Sequence, residues 1–283
     1  MVGMRVELLS DPIVFAERVQ AVMTADPFST NVLTGVMARA RDGSQPSAAD
    51  ALWVVVVDQG NVVGAAMHTP PYHPFLPRLP DKAAAAIAQE LLRVGRPVAG
   101  VTGERAAVDE FADTWVAHTG GHSSVVTSMR MYRLAGLRTP EQVPGSTRCA
   151  SDEDVDVVAD WLARFHAEST PDSPRDDLVA VTERRVTDHE VWLWEHQGRT
   201  VSLAAGTHPA EGVSRIGPVY TPPEFRRRGY GTAATARATQ ACLGAGARHV
   251  VLYTDLANPV SNSIYQKIGY RPDHDALERR LHP

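Results

Sequence analysis

The stretch Ile216–Ala234, IGPVYTPPEFRRRGYGTAA, holds the residue types best suited to chemistry. An apolar run ends at Tyr220-Thr221, and Pro222 and Pro223 stop it. Arg226, Arg227, Arg228, Gly229, Tyr230 and Gly231 then lead into a helix rich in alanine and threonine. Successive amides in a glycine loop that feeds a helix N-terminus make an anion site. The glycines let the backbone approach a ligand, and the helix dipole favours negative charge. The arginines add positive charge at the same mouth, so the expected ligand is a phosphate or pyrophosphate. A G-x4-G-K-[ST] loop is excluded, because the nearest lysine is Lys267. Gly229, Gly231 and Ala234 satisfy the relaxed dinucleotide spacing G-x-G-x-x-A. Dinucleotide folds place that turn directly after a strand, whereas TPPEFRRR intervenes here. A solvated basic patch is the plain alternative for three arginines; the glycines beside them favour phosphate.

A second pattern follows in NPVSNSIYQKIGY, residues 258–270. Asn258 before Pro259 reads as a helix N-cap with proline at the first helical position. Gly269 reads as a helix end. Tyr265, from spacing alone, is either a core tyrosine or a proton donor. Taken together, the two patterns resemble the GNAT N-acyltransferase superfamily. Its acyl-CoA loop, [QR]-x-x-G-x-[GA], fits Arg226–Gly231 in full. Its pattern N-x-x-[AS]-x-x-x-Y-x-x-x-G-[FY] fits Asn258, Ser261, Tyr265, Gly269 and Tyr270. Order and gap agree as well. The motifs cover about Ile216–Tyr270, and element order extends the resemblance to about Thr147–Pro283.

The resemblance implies acetyl transfer from acetyl-CoA to a primary amine of a small molecule, peptide or protein. Amides around Arg228–Thr232 would hold the pyrophosphate, within a cofactor-binding set that includes Arg226, Arg227, Gly229, Tyr230, Gly231 and Thr232. Strand Pro218–Thr221 would splay from Val250–Thr254. Val219, Tyr220 and Thr221 would then meet the pantetheine arm much as an added strand would, with Asn258 and Ser261 beside it. Tyr265 matches the family's tyrosine that protonates the leaving thiolate. A phenol has a pKa of ~10 and is neutral at pH 7. Candidates for a general base are His208, Asp255, Glu168 and Glu224; none sits in a diagnostic motif, and a water chain can serve instead. No His, Cys, Asp or Glu cluster has metal-ligand spacing, so no metal is expected. The alternative function is a non-catalytic acyl-CoA-binding module, regulatory or partner-binding, in which Tyr265 is incidental.

The elements that must position these residues read twice along the chain. WVVVVDQGNVVGAAMHT at 53–69 and VWLWEHQGRTVSLAAGT at 191–207 stand 138 positions apart. Each is an apolar run, a Gln-Gly turn and a second run, which is a hairpin signal. Two helical patterns precede each hairpin: Pro12–Ala25 and Asn31–Arg41, then Asp152–Ala167 and Arg175–Thr187. Helix, strand, helix and a final strand follow each. In the first half these are Asp81–Val94, Pro97–Val101, Glu104–His118 and Ser124–Leu134. In the second they are Gly229–Leu243, His249–Thr254, Asn258–Ile268 and Arg271–Leu281. The halves differ at one place. The second inserts a strand, about Ser214–Thr221, before its glycine loop. The first runs through HTPPYHPFLPRLP, where Pro70, Pro71, Pro74, Pro77 and Pro80 each lack an amide donor. The expected fold is α/β: two tandem GNAT-like domains, each a mixed, mainly antiparallel sheet flanked by helices. The division is 1–138 (a degenerate copy lacking the CoA loop), a linker at 139–146, and 147–283 (the acetyl-CoA-binding catalytic copy).

Composition bounds the rest. Length favours two domains: 283 residues with 43% hydrophobic and 22% charged are ordinary for a globular chain. A net charge of −5 argues against a nucleic-acid binder. The longest aliphatic run, Leu52–Val57, is too short to span a bilayer. Met1–Asp11 carries Arg5, Glu7 and Asp11 and no apolar h-region, so no signal peptide is expected. Two cysteines, Cys149 and Cys242, offer no framework, and a reduced cytoplasmic setting follows. The expected partners are acetyl-CoA and an amine, with the chain a monomer or homodimer.

Overall fold

The computed structural model describes residues 4–43, 50–169 and 177–283. The side chains of residues 42 and 259–261 lie outside that description. The chain forms two compact units, residues 1–130 with 274–283, and residues 131–273. The units therefore cut the chain differently from the contiguous halves expected, because the last ten residues, 274–283, join the first unit.

The first unit begins with β1 (Arg5–Leu9), α1 (Pro12–Ala25), α2 (Asn31–Asp42) and the hairpin β2 (Leu52–Asp58) and β3 (Asn61–His68). It continues with β4 (Phe75–Leu76), α3 (Ala83–Arg93), β5 (Gly100–Glu104) and α4 (Arg105–Thr119). Strand β6 (His122–Leu134) starts in it, and β12 (Tyr270–His282) ends in it. Asp11 caps α1 by accepting from the Ile13 amide at 2.7 Å, with Pro12 at the first position. The run Trp53–Val57 is buried on both faces, so its apolar residues are continuous rather than alternating. Trp53, Val55 and Val57 pack with Phe15, Val19 and Leu33. Val54 and Val56 face the other way, onto Ile87, Leu91 and Phe111. Residues Ala276–Arg280 of β12 pair antiparallel with Gly100–Glu104.

One expectation for this unit needs correction. The proline-rich bridge does contain the counterpart of the inserted strand. Phe75 and Leu76 pair in parallel with Thr102 and Gly103. Pro74 and Pro77 flank the pair and hold it to two residues, since proline cannot donate to a ladder.

The second unit contains β7 (Ser146–Cys149), α5 (Val155–Ser169), α6 (Leu178–Thr187), and the hairpin β8 (Val191–His196) and β9 (Arg199–Gly206). Then come β10 (Val213–Tyr220), α7 (Tyr230–Gly244), β11 (His249–Asp255) and α8 (Pro259–Lys267). Residues 175 and 176, expected at the start of α6, lie outside the described residues. Val158, Trp161 and Leu162 cover one sheet face with Leu193, Leu203 and Tyr220. Ala234, Ala238 and Cys242 of α7 cover the other, with Ala204, Ile216 and Leu252. Alanines let α7 lie close to its strands.

The repeat is visible in backbone geometry. Gln59 and Gly60 have φ of 49° and 85°; Gln197 and Gly198 have 52° and 70°. Two positive φ values in a two-residue loop suit the right-handed twist of the flanking strands. Each hairpin also carries a register shift, between Val56 and Val57 in one and Trp194 and Glu195 in the other. Those shifts are again 138 positions apart.

Candidate active site

The site begins where β10 leaves β11. The two strands pair in parallel from Val213↔His249 to Ile216↔Leu252. A register shift follows between Ile216 and Val219, at Gly217 (φ 147°) and Pro218. Beyond it β10 pairs with β9 through Val219↔Ala204 and Tyr220↔Leu203. Among the described residues, the ladder to β11 stops at Ile216. A bulge with glycine and proline bends a strand out of its register. The edge of Val219 and Tyr220 toward β11 is thus open in the way an added strand requires.

Side chains fix the end of that strand. The Ser202 hydroxyl donates to the Tyr220 carbonyl at 3.0 Å and lies 2.8 Å from Thr221 Oγ1. Arg226 donates from Nε to the Thr221 carbonyl at 2.8 Å and from Nη2 to Glu168 at 2.7 Å. Its guanidinium also sits 5.8 Å from the centre of the Tyr220 ring. The Tyr220 hydroxyl donates to the other Glu168 oxygen at 3.2 Å. Burial first, and then the Glu168 charge, push the Tyr220 phenol above its ordinary pKa. Glu168 and Arg226 therefore form a brace for the strand end. Arg227 and Arg228 are exposed.

The loop then turns into α7. Arg227 and Gly229 have φ of 63° and 84°. Gly229 is the N-cap, and the first intrahelical bond is from the Ala233 amide to the Gly229 carbonyl at 3.0 Å. The amides of residues 229–232 precede that ladder, as the first four of any α-helix do. A Cβ on Gly231 would stand 3.0 Å from Thr221 Oγ1, so bulk there crowds the mouth. The Tyr230 side chain turns inward and is 3% exposed, which leaves only its backbone at the mouth.

The first unit shows the same helix mouth filled from within. Lys82, the N-cap of α3, has φ of 68°, matching Gly229 in conformation. Glu110 of α4 accepts from the Lys82 amide at 2.9 Å and from the Ala84 amide at 3.1 Å. The Ala83 amide donates to the Pro80 carbonyl at 3.0 Å. A resident carboxylate occupies the place an anionic ligand would take. Glu110→Ala should cost about 1–2 kcal/mol of stability by orphaning two amides. A lower denaturation midpoint with an unchanged slope checks this; an unchanged midpoint refutes it.

Tyr265 stands on α8, 9% exposed, its ring edge-on to Tyr270 at 6.3 Å between centres. Tyr270 differs from it: its hydroxyl is 2.7 Å from Thr239 in the core, and burial drives its pKa upward. Helix α8 is held by residues that sequence reading passed over. Asn262 donates to the Asp255 carbonyl at 3.1 Å and to the Asn258 carbonyl at 2.8 Å. The buried Tyr132 hydroxyl donates to Asn262 at 3.0 Å, and Gln266 donates to Tyr132 at 3.3 Å. The N-x-x-x-N spacing of Asn258 and Asn262, one helical turn apart, was the available signal. Ser261 lies on α8, and its side chain is outside the described set.

The four general-base candidates are scattered. His208 Nε2 meets the Asp188 carbonyl at 2.6 Å. A carbonyl only accepts, so that nitrogen carries the proton. His208 also lies near the Arg215 end of β10, away from Tyr220. Asp255 makes a turn, accepting from the Ala257 amide at 2.7 Å. Glu168 belongs to the Arg226 brace, and Glu224 is exposed in a short 3-10 turn. Among the described residues no group of three His, Cys, Asp or Glu is placed to hold a metal ion. A cavity of about 540 Å³ opens near Gly136, Arg138, Gln266 and Arg271. None of the expected site residues lines it.

Comparison with known proteins now bears on this geometry. The Acetyltransferase (GNAT) family model matches residues 155–270. Among curated proteins, none matches the chain. A GCN5-related N-acetyltransferase from Sphaerobacter thermophilus is similar at 18% identity and a TM-score of 0.64, over 98% of this chain and 95% of that one. An acetyltransferase of the GNAT family from Colwellia psychrerythraea has 12% identity and a TM-score of 0.60, over 99% and 100%. A tandem GNAT protein from the clavulanic acid biosynthesis pathway has 15% identity and a TM-score of 0.56, over 99% and 98%. At these identities the likeness is one of fold, and it spans both units. Residues 155–270 match the Acetyltransferase (GNAT) family model, and the chain as a whole shares its fold with GNAT structures that include a tandem GNAT protein.

Proposed function

We propose that the second unit transfers an acetyl group from acetyl-CoA to a primary amine. The observation that carries this is the contrast between the two helix mouths. The amides opening α3 are spent on Glu110 and Pro80, while those opening α7 begin at a glycine N-cap beside exposed Arg227 and Arg228. That contrast supports one acyl-CoA site per chain, with residues 147–283 catalytic and 1–138 a degenerate copy.

Each residue then has a defined task. The amides of residues 229–232 bind the pyrophosphate. The open edge at Val219 and Tyr220 aligns the pantetheine arm. Glu168 and Arg226 keep that edge in place. Tyr265 gives its proton to the sulfur that leaves as the amine nitrogen forms the new amide bond. The amine's own proton passes to water or a base. Asn262 and Tyr132 keep α8 and its tyrosine in register. With free thiols at Cys149 and Cys242, a reduced cytoplasmic setting fits this role.

Calorimetry with acetyl-CoA, followed by a mass-detected amine screen, tests the proposal. One acetyl-CoA per chain and an acetylated amine are expected. Binding without any transfer favours the non-catalytic reading, and absence of binding overturns both.

A further inference from the structure

The acceptor side of the splay contains two arginines that the tasks above do not use. Arg185 of α6 donates from Nη1 to the Gly217 carbonyl at 3.1 Å, at the bulge where β10 departs from β11. Its Nε is buried and has no hydrogen-bond partner among the described residues. Arg215 lies two residues before Gly217, and among the described residues its guanidinium makes no hydrogen bond or ion pair. Arg185 and Arg215 are thus both placed near Gly217. Burial lowers the pKa of both, and Glu190 opposes that shift in each.

Of the nearby acids, Asp188 is paired, whereas one oxygen of the buried Glu190 has no hydrogen-bond partner among the described residues. Arg184 holds Asp188 at 3.0 Å and lies 3.7 Å from Glu190. The other Glu190 oxygen accepts from the His208 amide at 3.3 Å. Bracing the bulge accounts for one nitrogen of Arg185, but not for its Nε or for Arg215. Ile216 and Leu252 face α7, so side chains one position along face α5 and α6, where Arg215 and Tyr253 sit. The α7 mouth is at the Tyr220 end of β10, and the arginine pair is at the bulge. Arg184, Arg185 and Arg215 share two carboxylates, Asp188 and Glu190, so a ligand anion would balance the remaining guanidinium charge. The planar guanidinium fork matches carboxylate and phosphate oxygens.

We infer that Arg185 and Arg215 receive an anionic group, a carboxylate or phosphate, carried by the amine acceptor. The identity of this ligand as acceptor rests on the acetyl-transfer reading; the anion site itself does not. Calorimetry on CoA-saturated protein would compare α-amino acids with their C-terminal amides, and O-phosphoethanolamine with ethanolamine. The anionic member of at least one pair should bind about 10- to 100-fold more tightly, the range for a hydrogen-bonded charge. The pair that shows this preference tells carboxylate from phosphate.

Arg215→Met should abolish the preference, and Arg185→Met should weaken it. Arg185→Lys and Arg215→Lys should restore part of it, since lysine keeps the charge without the fork. Thermal melts would confirm that each variant is folded. Equal binding of charged and neutral members, no binding of either, or a preference that survives Arg215→Met would overturn the inference. Anion-selective binding that needs the arginines, in a protein that releases no CoA, would uphold the anion site and overturn acetyl transfer.

Discussion

Tyr265→Phe is expected to lower kcat by about 100-fold or more while leaving acetyl-CoA affinity within a factor of about two, the range for losing a positioned general acid. The substitution removes one oxygen and keeps the ring that packs edge-on to Tyr270. Helix α8 keeps its ties through Asn262 and Tyr132, which do not pass through Tyr265. Any loss is therefore assignable to the hydroxyl. Following thiol release under saturating acetyl-CoA gives kcat, and calorimetry gives the affinity. An unchanged kcat would make Tyr265 a core tyrosine like Tyr270. A parallel loss of rate and affinity would show that the hydroxyl only shapes the binding cleft. If chemistry is slower than product release, the full loss should appear in kcat.

Gly231→Val is expected to weaken acetyl-CoA binding by at least about 100-fold, or about 2.7 kcal/mol. A Cβ at this position already stands 3.0 Å from Thr221 Oγ1. The further methyl groups of valine must project toward the mouth or displace Thr221, which is itself tied to Ser202. Either outcome denies an anion its approach to the amides. Gly231→Ala is the control. Its single methyl needs a shift of a few tenths of an ångström at Thr221. It also replaces a first-turn glycine, worth up to roughly 0.5–1 kcal/mol of stability. The alanine variant should therefore melt higher and still bind. Wild-type affinity in the valine variant, measured by calorimetry on folded protein, would move the anion site away from α7.

Much of this was legible before any coordinates, and the legible parts share a property. The Gln-Gly hairpins, the Arg226–Gly231 loop, and the Asn258 cap are each decided within a few residues. Turn type needs two positive φ values, and Gln59-Gly60 and Gln197-Gly198 supply them locally. Asp11-Pro12 sets the start of α1 in the same way. The short strands β1 and β7 were not legible. Five and four residues long, they carry too little pattern to stand out from a loop. Strand β4 was hidden for another reason. Its two residues sit between prolines, and only parallel pairing with β5 makes them a strand.

The remaining features depend on residues far apart in the chain. Sequence alone separated a glycine loop from a proline bridge, and so separated one candidate acyl-CoA site from none. Tertiary structure supplied the stronger cause: Glu110, 28 residues beyond Lys82, fills the α3 mouth. It tied Arg226 to Glu168, 58 positions away. It assigned His208 to the Asp188 carbonyl, and it carried the last ten residues into the first unit. Local backbone chemistry writes turns, caps and loops into the sequence directly. Which carboxylate reaches which amide is set by the packing of whole helices and strands, and only the folded chain contains that information.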